Sequence, residues 1–225
     1  MTGEMKLTRR RFIGSSAALA GLGLSGCTFT RRREGTSSEA PLSRVNKSQY
    51  AALPNERFPI PAVDLKKVPK KFLRRRVTYR TKEKPGTVVV DTSKFYLYLV
   101  EGNQKAMRYG VGLGRAGFEW SGRARIAWKQ KWPKWTPPDE MIARQPELEK
   151  YSVRNGGQPP GLKNPLGSRA LYIFQGNEDT LYRIHGSPEY WTIGKAVSSG
   201  CVRMINQDVV DLYDRIKTNS PIVVT

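Results

Sequence analysis

The sequence predicts a mainly β fold, a sheet or sandwich carrying one or two short helices and a long loop insertion. Three observations lead there. From Thr87 onward, short runs of β-branched and aromatic residues follow one another at close spacing, separated by glycine-bearing turns. These strand-like runs do not alternate with helical patterns, so βαβ crossover units are not indicated. Near the end, Val209, Leu212, Tyr213 and Ile216 fall on one face of a helix.

Thr87 to Asp91 is β-branched and apolar, and Phe95 to Val100 is a continuous aromatic and aliphatic run. Glu101-Gly102-Asn103 makes a turn, after which Met107, Tyr109 and Val111 alternate with other residues. Gly112-Leu113-Gly114-Arg115-Ala116-Gly117 has the glycine spacing of a dinucleotide-binding loop, but that reading needs a helix immediately afterward. The chain instead runs through Ser121-Gly122 and alternates as a strand through Ala124, Ile126 and Trp128, so the match is a decoy. Residues 129–166 break the strand pattern with Trp132, Trp135, several prolines, an acidic helix-like piece from Asp139 to about Lys150, and Gly156-Gly157. A long excursion in a compact domain is more often functional than decorative, and this one reads as a lid or cleft wall. The alternative is that Trp128, Trp132 and Trp135 cover a sheet face. Leu171 to Phe174 and Leu181 to Ile184 then form a hairpin about Gly176-Asn177 that delivers His185 at a strand end. Asn206 suits a helix N-cap, and Ile222 to Val224 closes with a strand.

Upstream, residues 1–26 read as an export signal. Thr8-Arg9-Arg10-Arg11-Phe12-Ile13 is a charged start of twin-arginine type, followed by a Gly, Ala, Ser and Leu-rich run. That run is too short to cross a bilayer, which takes ~20 residues. Leu24-Ser25-Gly26-Cys27 resembles a lipobox, in which Cys27 becomes the first mature residue and carries lipid; otherwise Cys27 is incidental to an ordinary cleavage site. The expected location is the periplasm, with a membrane lipid anchor at Cys27. Residues 27–84 are rich in Arg, Lys, Pro and Ser without an apolar period, and read as a basic, largely extended linker before a domain spanning 85–225. The net charge of +20 seeks polyanions. Nucleic acid is the obvious class, but an exported chain meets carboxylate-rich peptidoglycan and anionic lipid instead, so no nucleic-acid partner is expected.

His185 is the one histidine of the chain, and Cys201, sixteen residues later, is the one cysteine outside the export region. A thiol becomes a useful nucleophile when a nearby imidazole takes its proton. Singly, such a Cys is usually a small core hydrophobe and such a His a satisfied polar residue. Together, in an exported chain whose unpaired thiol must be buried or used, they point to cysteine acyl transfer. One His and one mature-chain Cys cannot build a tetrahedral metal site, so neither metal nor cofactor is expected.

The segment His185-Gly186, then Ser198-Ser199-Gly200-Cys201-Val202-Arg203-Met204 with Asn206 beyond, resembles the active-site signature of the L,D-transpeptidases, the YkuD-type catalytic domain. Val88-Val89-Val90-Asp91, Tyr109-Gly110-Val111-Gly112 and Pro165-Leu166-Gly167 fall where that family has its early strands, a glycine-bearing turn and the Pro-Leu-Gly before the histidine strand. The resemblance covers about residues 85–225 and implies a YkuD-like β-sandwich or sheet. It implies Cys201 as nucleophile and His185 as base, with Gly186, Ser198 and Gly200 orienting the pair or forming the oxyanion pocket. Arg203, Asn206 and Ser199 fall on the substrate side, Arg203 as a carboxylate clamp; the plain alternative for Arg203 is a surface pair with Asp208. Ser199 stands where most members have a second histidine, generally given a supporting role.

The implied reaction is peptidoglycan cross-linking, by acyl transfer from the diaminopimelate carbonyl of a stem tetrapeptide, with loss of D-alanine, to an amine. With water as acceptor the same site is an L,D-carboxypeptidase, and with a protein amine it anchors an envelope protein to the wall. A non-catalytic wall-binding module is the reading from another class. The sequence assigns no oligomeric state.

Overall fold

The computed structural model describes residue 44 and residues 46–114, 121–198 and 201–225; the segment read as an export signal, with Cys27, and Ser199 and Gly200, lie outside them. The described residues form one mixed sheet of eleven strands. These are β1 (Arg75–Thr78), β2 (Val88–Asp91), β3 (Tyr96–Gly102), β4 (Lys105–Gly110), β5 (Gly112–Gly114), β6 (Gly122–Lys131), β7 (Arg169–Gln175), β8 (Glu178–Ser187), β9 (Ala196–Ser198), β10 (Val202–Ile205) and β11 (Ser220–Val224). Their spatial order is β1-β4-β3-β2-β11-β6-β7-β8-β10-β5-β9. β2 lies parallel to β11, β8 to β10 and β5 to β9, and the remaining neighbours are antiparallel. Two α-helices accompany the sheet, α1 (Asp139–Arg144) and α2 (Asn206–Arg215).

Strands across most of the sheet contribute one face to a single core: Val88, Leu97, Leu99, Tyr109, Ile126, Ile173, Ile184 and Met204 are buried there. Helix α2 closes it with Val209 and Leu212, and Ile216 follows just past its end, the apolar stripe visible in the sequence. The unbroken run in β3 is explained by burial on both sides. Leu97 and Leu99 enter that core, while Tyr96, Tyr98 and Val100 enter a second one on the opposite face.

Part of the second core comes from a stretch read above as linker. Residues 27–84 are not uniformly extended: between Asn46 and Thr78 the chain packs Tyr50, Val68, Phe72, Leu73 and Val77 against the far face of β3, and β1 adds an edge strand to β4. Three short 3₁₀ turns, Lys47–Tyr50, Leu65–Lys67 and Lys70–Phe72, carry several of these contacts. Their apolar residues sit singly on irregular backbone, so no period announces them, and the lysines around them stay at the surface.

Two further expectations change. Alternation puts Trp128 on the face of Ile126, but a bulge sets Ile126 opposite Ile173 and Trp128 opposite Tyr172, which moves Trp128 to the other face. There it is 42% exposed and stacked on Tyr172. The helix-like piece from Asp139 is split at Pro146 into α1 and a 3₁₀ turn, Pro146–Tyr151. The three tryptophans of this region do not form one cover, since Trp132 packs edge-on to Phe58 and Trp135 tilts toward Tyr151. The insertion has its own frame. Trp135 and Gln158 exchange backbone hydrogen bonds, and Asn164 Nδ2 donates to the carbonyls of Pro133, Gln158 and Pro159. Its base is pinned by Glu56, which accepts from Trp132 Nε1 at 2.9 Å and pairs with buried Arg169 at 2.6 Å.

Candidate active site

β5 is the rail beside which Cys201 is mounted. Its Leu113 pairs with Val202 of β10 on one side and with Ala196 of β9 on the other, so the strands before and after Cys201 flank β5. Gly114 N donates to the Cys201 carbonyl at 3.2 Å, and the Ser198 backbone pairs with Gly114. Gly112 is required by close approach, since a Cβ there would lie 3.0 Å from the Thr192 carbonyl.

β10 runs parallel to β8 with Val202 beside Ile184 and Arg203 beside His185. Side chains alternate along a strand, so Val202, Met204 and Ile184 enter the core while Cys201, Arg203, Arg183 and His185 share the opposite face. Cys201 therefore stands on the imidazole's side of the sheet, just before the adjacent strand β10, two residues before the level of His185. Its sulfur is a partly buried free thiol.

His185 is 4% exposed, and its Nδ1–H donates to the Gly186 carbonyl at 2.6 Å. That bond fixes the tautomer and leaves the Nε2 lone pair as the proton acceptor. Burial is the main force lowering the imidazole pKa from its ordinary 6.5 to about 4, and the charges of Arg203 and Arg183 act in the same sense. Main-chain groups of Gly186 and Pro165 oppose it. Burial also pushes the Cys201 thiol up, against a main-chain hydrogen bond from Arg183 and the charges of Arg183 and Arg203. Desolvation outweighs the two guanidinium groups at both positions. The resting pair at neutral pH is a thiol and a neutral imidazole, with two cations nearby to stabilise negative charge once it develops.

Asn206 is the first residue of α2 but caps nothing: the cap position is Ile205, without a side-chain cap bond. Its side chain instead ties three elements together. Oδ1 accepts from Ser168 N at 2.9 Å, and Nδ2 donates to Ser187 O at 3.3 Å. Side chains at Gly167 or Gly186 would collide with that Oδ1, so both glycines make room for it. Asn206 thus locks the end of the histidine strand to α2. Asn206→Ala leaves a buried N–H and a buried carbonyl unpaired at about 1–3 kcal/mol each. At about 2–4 °C per kcal/mol for a domain of this size, the expected result is a fall in Tm of roughly 4–20 °C by calorimetry, and an unchanged Tm would deny the lock.

Arg203 Nη1 pairs with Glu189 Oε2 at 3.0 Å and not with Asp208, which is buried beside Tyr50 and Arg74. Two residues that sequence reading passed over belong to the site, Arg183 and Glu189. Arg183 carried a signal, standing two before His185 on a strand and hence on the same face. Glu189 carried none, because it reaches Arg203 from a loop. Two surface cavities, about 330 Å³ beside Glu56 and Arg169 and about 590 Å³ beside Phe72, Tyr96 and Lys195, lie elsewhere. Chemistry and register identify the site here, and volume does not. No group of three or more His, Cys, Asp or Glu suited to a metal occurs among the described residues.

Residues 85–224 match the family described as the L,D-transpeptidase catalytic domain, YkuD. The chain belongs to that family. Among curated relatives it is similar to probable L,D-transpeptidase YbiS of Escherichia coli K12, 30% identical over 57% of this chain and 41% of that protein. The probable L,D-transpeptidase ErfK/SrfK of the same strain is 31% identical over 57% of this chain and 40% of its own length. The chain spans about two-fifths of the length of these relatives. A solved structure described as a probable carnitine operon oxidoreductase from Brucella melitensis is 49% identical, covering 68% of this chain and 94% of that one at a TM-score of 0.48. The YkuD match begins at residue 85, so the packed stretch from Asn46 to Lys84 lies outside the family domain it covers.

Proposed function

We propose that this YkuD-family protein is an L,D-transpeptidase that cross-links peptidoglycan stem peptides through a thioester on Cys201. The observation that carries the reading is a neutral imidazole with its tautomer fixed by the Gly186 carbonyl, on the same sheet face as a free thiol at the start of the next strand. In the proposed first step His185 Nε2 takes the thiol proton as sulfur attacks the diaminopimelate carbonyl of a stem tetrapeptide. The S–C bond forms, and collapse of the tetrahedral intermediate breaks the C–N bond to D-alanine, whose amine leaves with that proton. In the second, the amine of another stem attacks the thioester, the S–C bond breaks, and sulfur recovers a proton through His185. Negative charge on the carbonyl oxygen develops near Arg183 and Arg203, with main-chain amides around Gly200 and Cys201 as donors. Arg203 is the clamp for a substrate carboxylate. Ser198 is assigned to the groups that orient the pair, and Ser199 to the substrate side. We further place the protein in the periplasm, exported through residues 1–26 and held to a membrane by lipid on Cys27; the lipobox-like Leu24-Ser25-Gly26-Cys27 supports this.

Incubating the purified protein with a disaccharide-tetrapeptide tests the reading by mass spectrometry. Cross-linked dimers with loss of D-alanine are expected; shortened stems alone would make it a carboxypeptidase, and unchanged donor would overturn it. His185→Ala is expected to slow acylation at least ~10²-fold. Because His185 stays neutral down to about pH 4, acylation by the unaltered protein should persist well below 6.5 and fall only as pH approaches 4. An acid limb at 6.5 would mean that another group, or a solvated His185, provides the base.

A further inference from the structure

We infer that Glu189 is a built-in competitor for the substrate's carboxylate at Arg203, and so sets the affinity of the site for acidic donors. The inference rests on the proposed function and names a residue that controls it. Arg203 and Arg183 share the face of Cys201 and His185, yet they are held differently. Both terminal nitrogens of Arg183 are taken up by Asp179, at 2.6 and 2.7 Å, and its guanidinium lies over the Tyr172 ring. Arg203 meets its carboxylate through Nη1 at 3.0 Å, and that carboxylate belongs to a side chain 51% exposed, against 19% for Arg203. A bidentate, stacked pair is a fixture, whereas a one-point pair with a half-exposed partner can be exchanged for another carboxylate.

The backbone around Glu189 is built so that its side chain can leave without disturbing the fold. Its N–H is taken by Ser187 Oγ at 3.1 Å. Its carbonyl accepts from Thr192 N at 3.0 Å and from Thr192 Oγ1 at 2.7 Å. None of these bonds involves the carboxylate. In the resting site Glu189 thus stands in for the acidic ligand, keeping the Arg203 charge paired. A donor bearing a carboxylate displaces it, whereas a donor lacking one gains nothing at Arg203 and leaves the internal pair in place. The site selects for charge by exchange.

The test is single-turnover acylation of Cys201 in the full chain, followed by intact mass across donor concentration. The donors are a disaccharide-tetrapeptide and the same compound with its carboxyl groups amidated. Glu189→Gln is expected to lower the half-saturating concentration of the acidic donor about two- to fivefold, the span that an exposed ion pair sets. The amidated donor should not respond. In an Arg203→Ala background the same substitution should have no effect. Weaker binding of the acidic donor by Glu189→Gln would make Glu189 a brace for Arg203 and overturn the inference, as would equal responses from both donors. Absence of any Cys201 adduct on the unaltered protein would instead overturn the transpeptidase reading, and the inference with it.

Discussion

Cys201→Ala is expected to abolish covalent capture of a carbapenem while leaving the fold intact. The unaltered protein should gain the full mass of the drug at Cys201, since a strained amide then meets the nucleophile proposed to open a stem peptide. The variant should gain none, and its turnover of tetrapeptide should fall by at least ~10⁴-fold, the scale of losing a nucleophile that acts as a unit with its base. The thiol is pushed above its ordinary pKa by burial, so the resting sulfur is not a thiolate awaiting any electrophile. Its reactivity is conditional on His185. The same substitution should move Tm by only a few degrees, because Cys201 is partly exposed and its backbone carries the bond to Gly114. Residual acylation in Cys201→Ala would transfer the chemistry to another side chain.

The strands were legible because their alternation survives in the chain. Met107, Tyr109 and Val111 sit in one core as their spacing requires, and Val209 and Leu212 with Ile216 mark the buried stripe of α2. Of the candidate site, Cys201 and His185 could be picked out from scarcity, since the sequence has one histidine and one cysteine beyond position 27. What pairs across the fold could not be read. Glu189 is fourteen residues from Arg203 and reaches it from a loop, and Asn206, chemically a good cap, is used as a cross-link because two glycines open a slot for its amide. The bulge at Trp128 and the split of the acidic helix at Pro146 are local departures that shift a face or end an element, and period counting smooths over both.

The most consequential of these omissions is the stretch before residue 85, and it yields the largest expected effect on stability. A chain beginning at residue 85, where the family match starts, is expected not to fold cooperatively. It loses Tyr50, Val68, Phe72, Leu73 and Val77, whose burial stabilises by on the order of 10 kcal/mol together at about 1.5–3 kcal/mol each. It also strips partners from groups that are buried in the full chain. Asp208 loses the Tyr50 hydroxyl at 3.3 Å and Arg74 at 3.6 Å, Gln207 loses the carbonyls of Ala51 and Pro61, and Arg169 loses Glu56. Burial already lifts the Asp208 carboxyl to about 7 despite Arg74, so without that cation it is a buried acid with little to hold it. Breaking such a pair costs about 3–5 kcal/mol. Against a total stability of about 5–15 kcal/mol, either loss is severe and the two together are decisive. A single substitution gives the graded version. Phe72 packs directly against the backbone of Gly110 and Gly194, the latter at a positive φ shortly before β9, so Phe72→Ala should cost about 3–5 kcal/mol. Denaturant unfolding of the full chain, Phe72→Ala and the chain from residue 85 orders the three. A truncated chain with a sharp transition near that of the full protein would return residues 46–84 to the status of a tether.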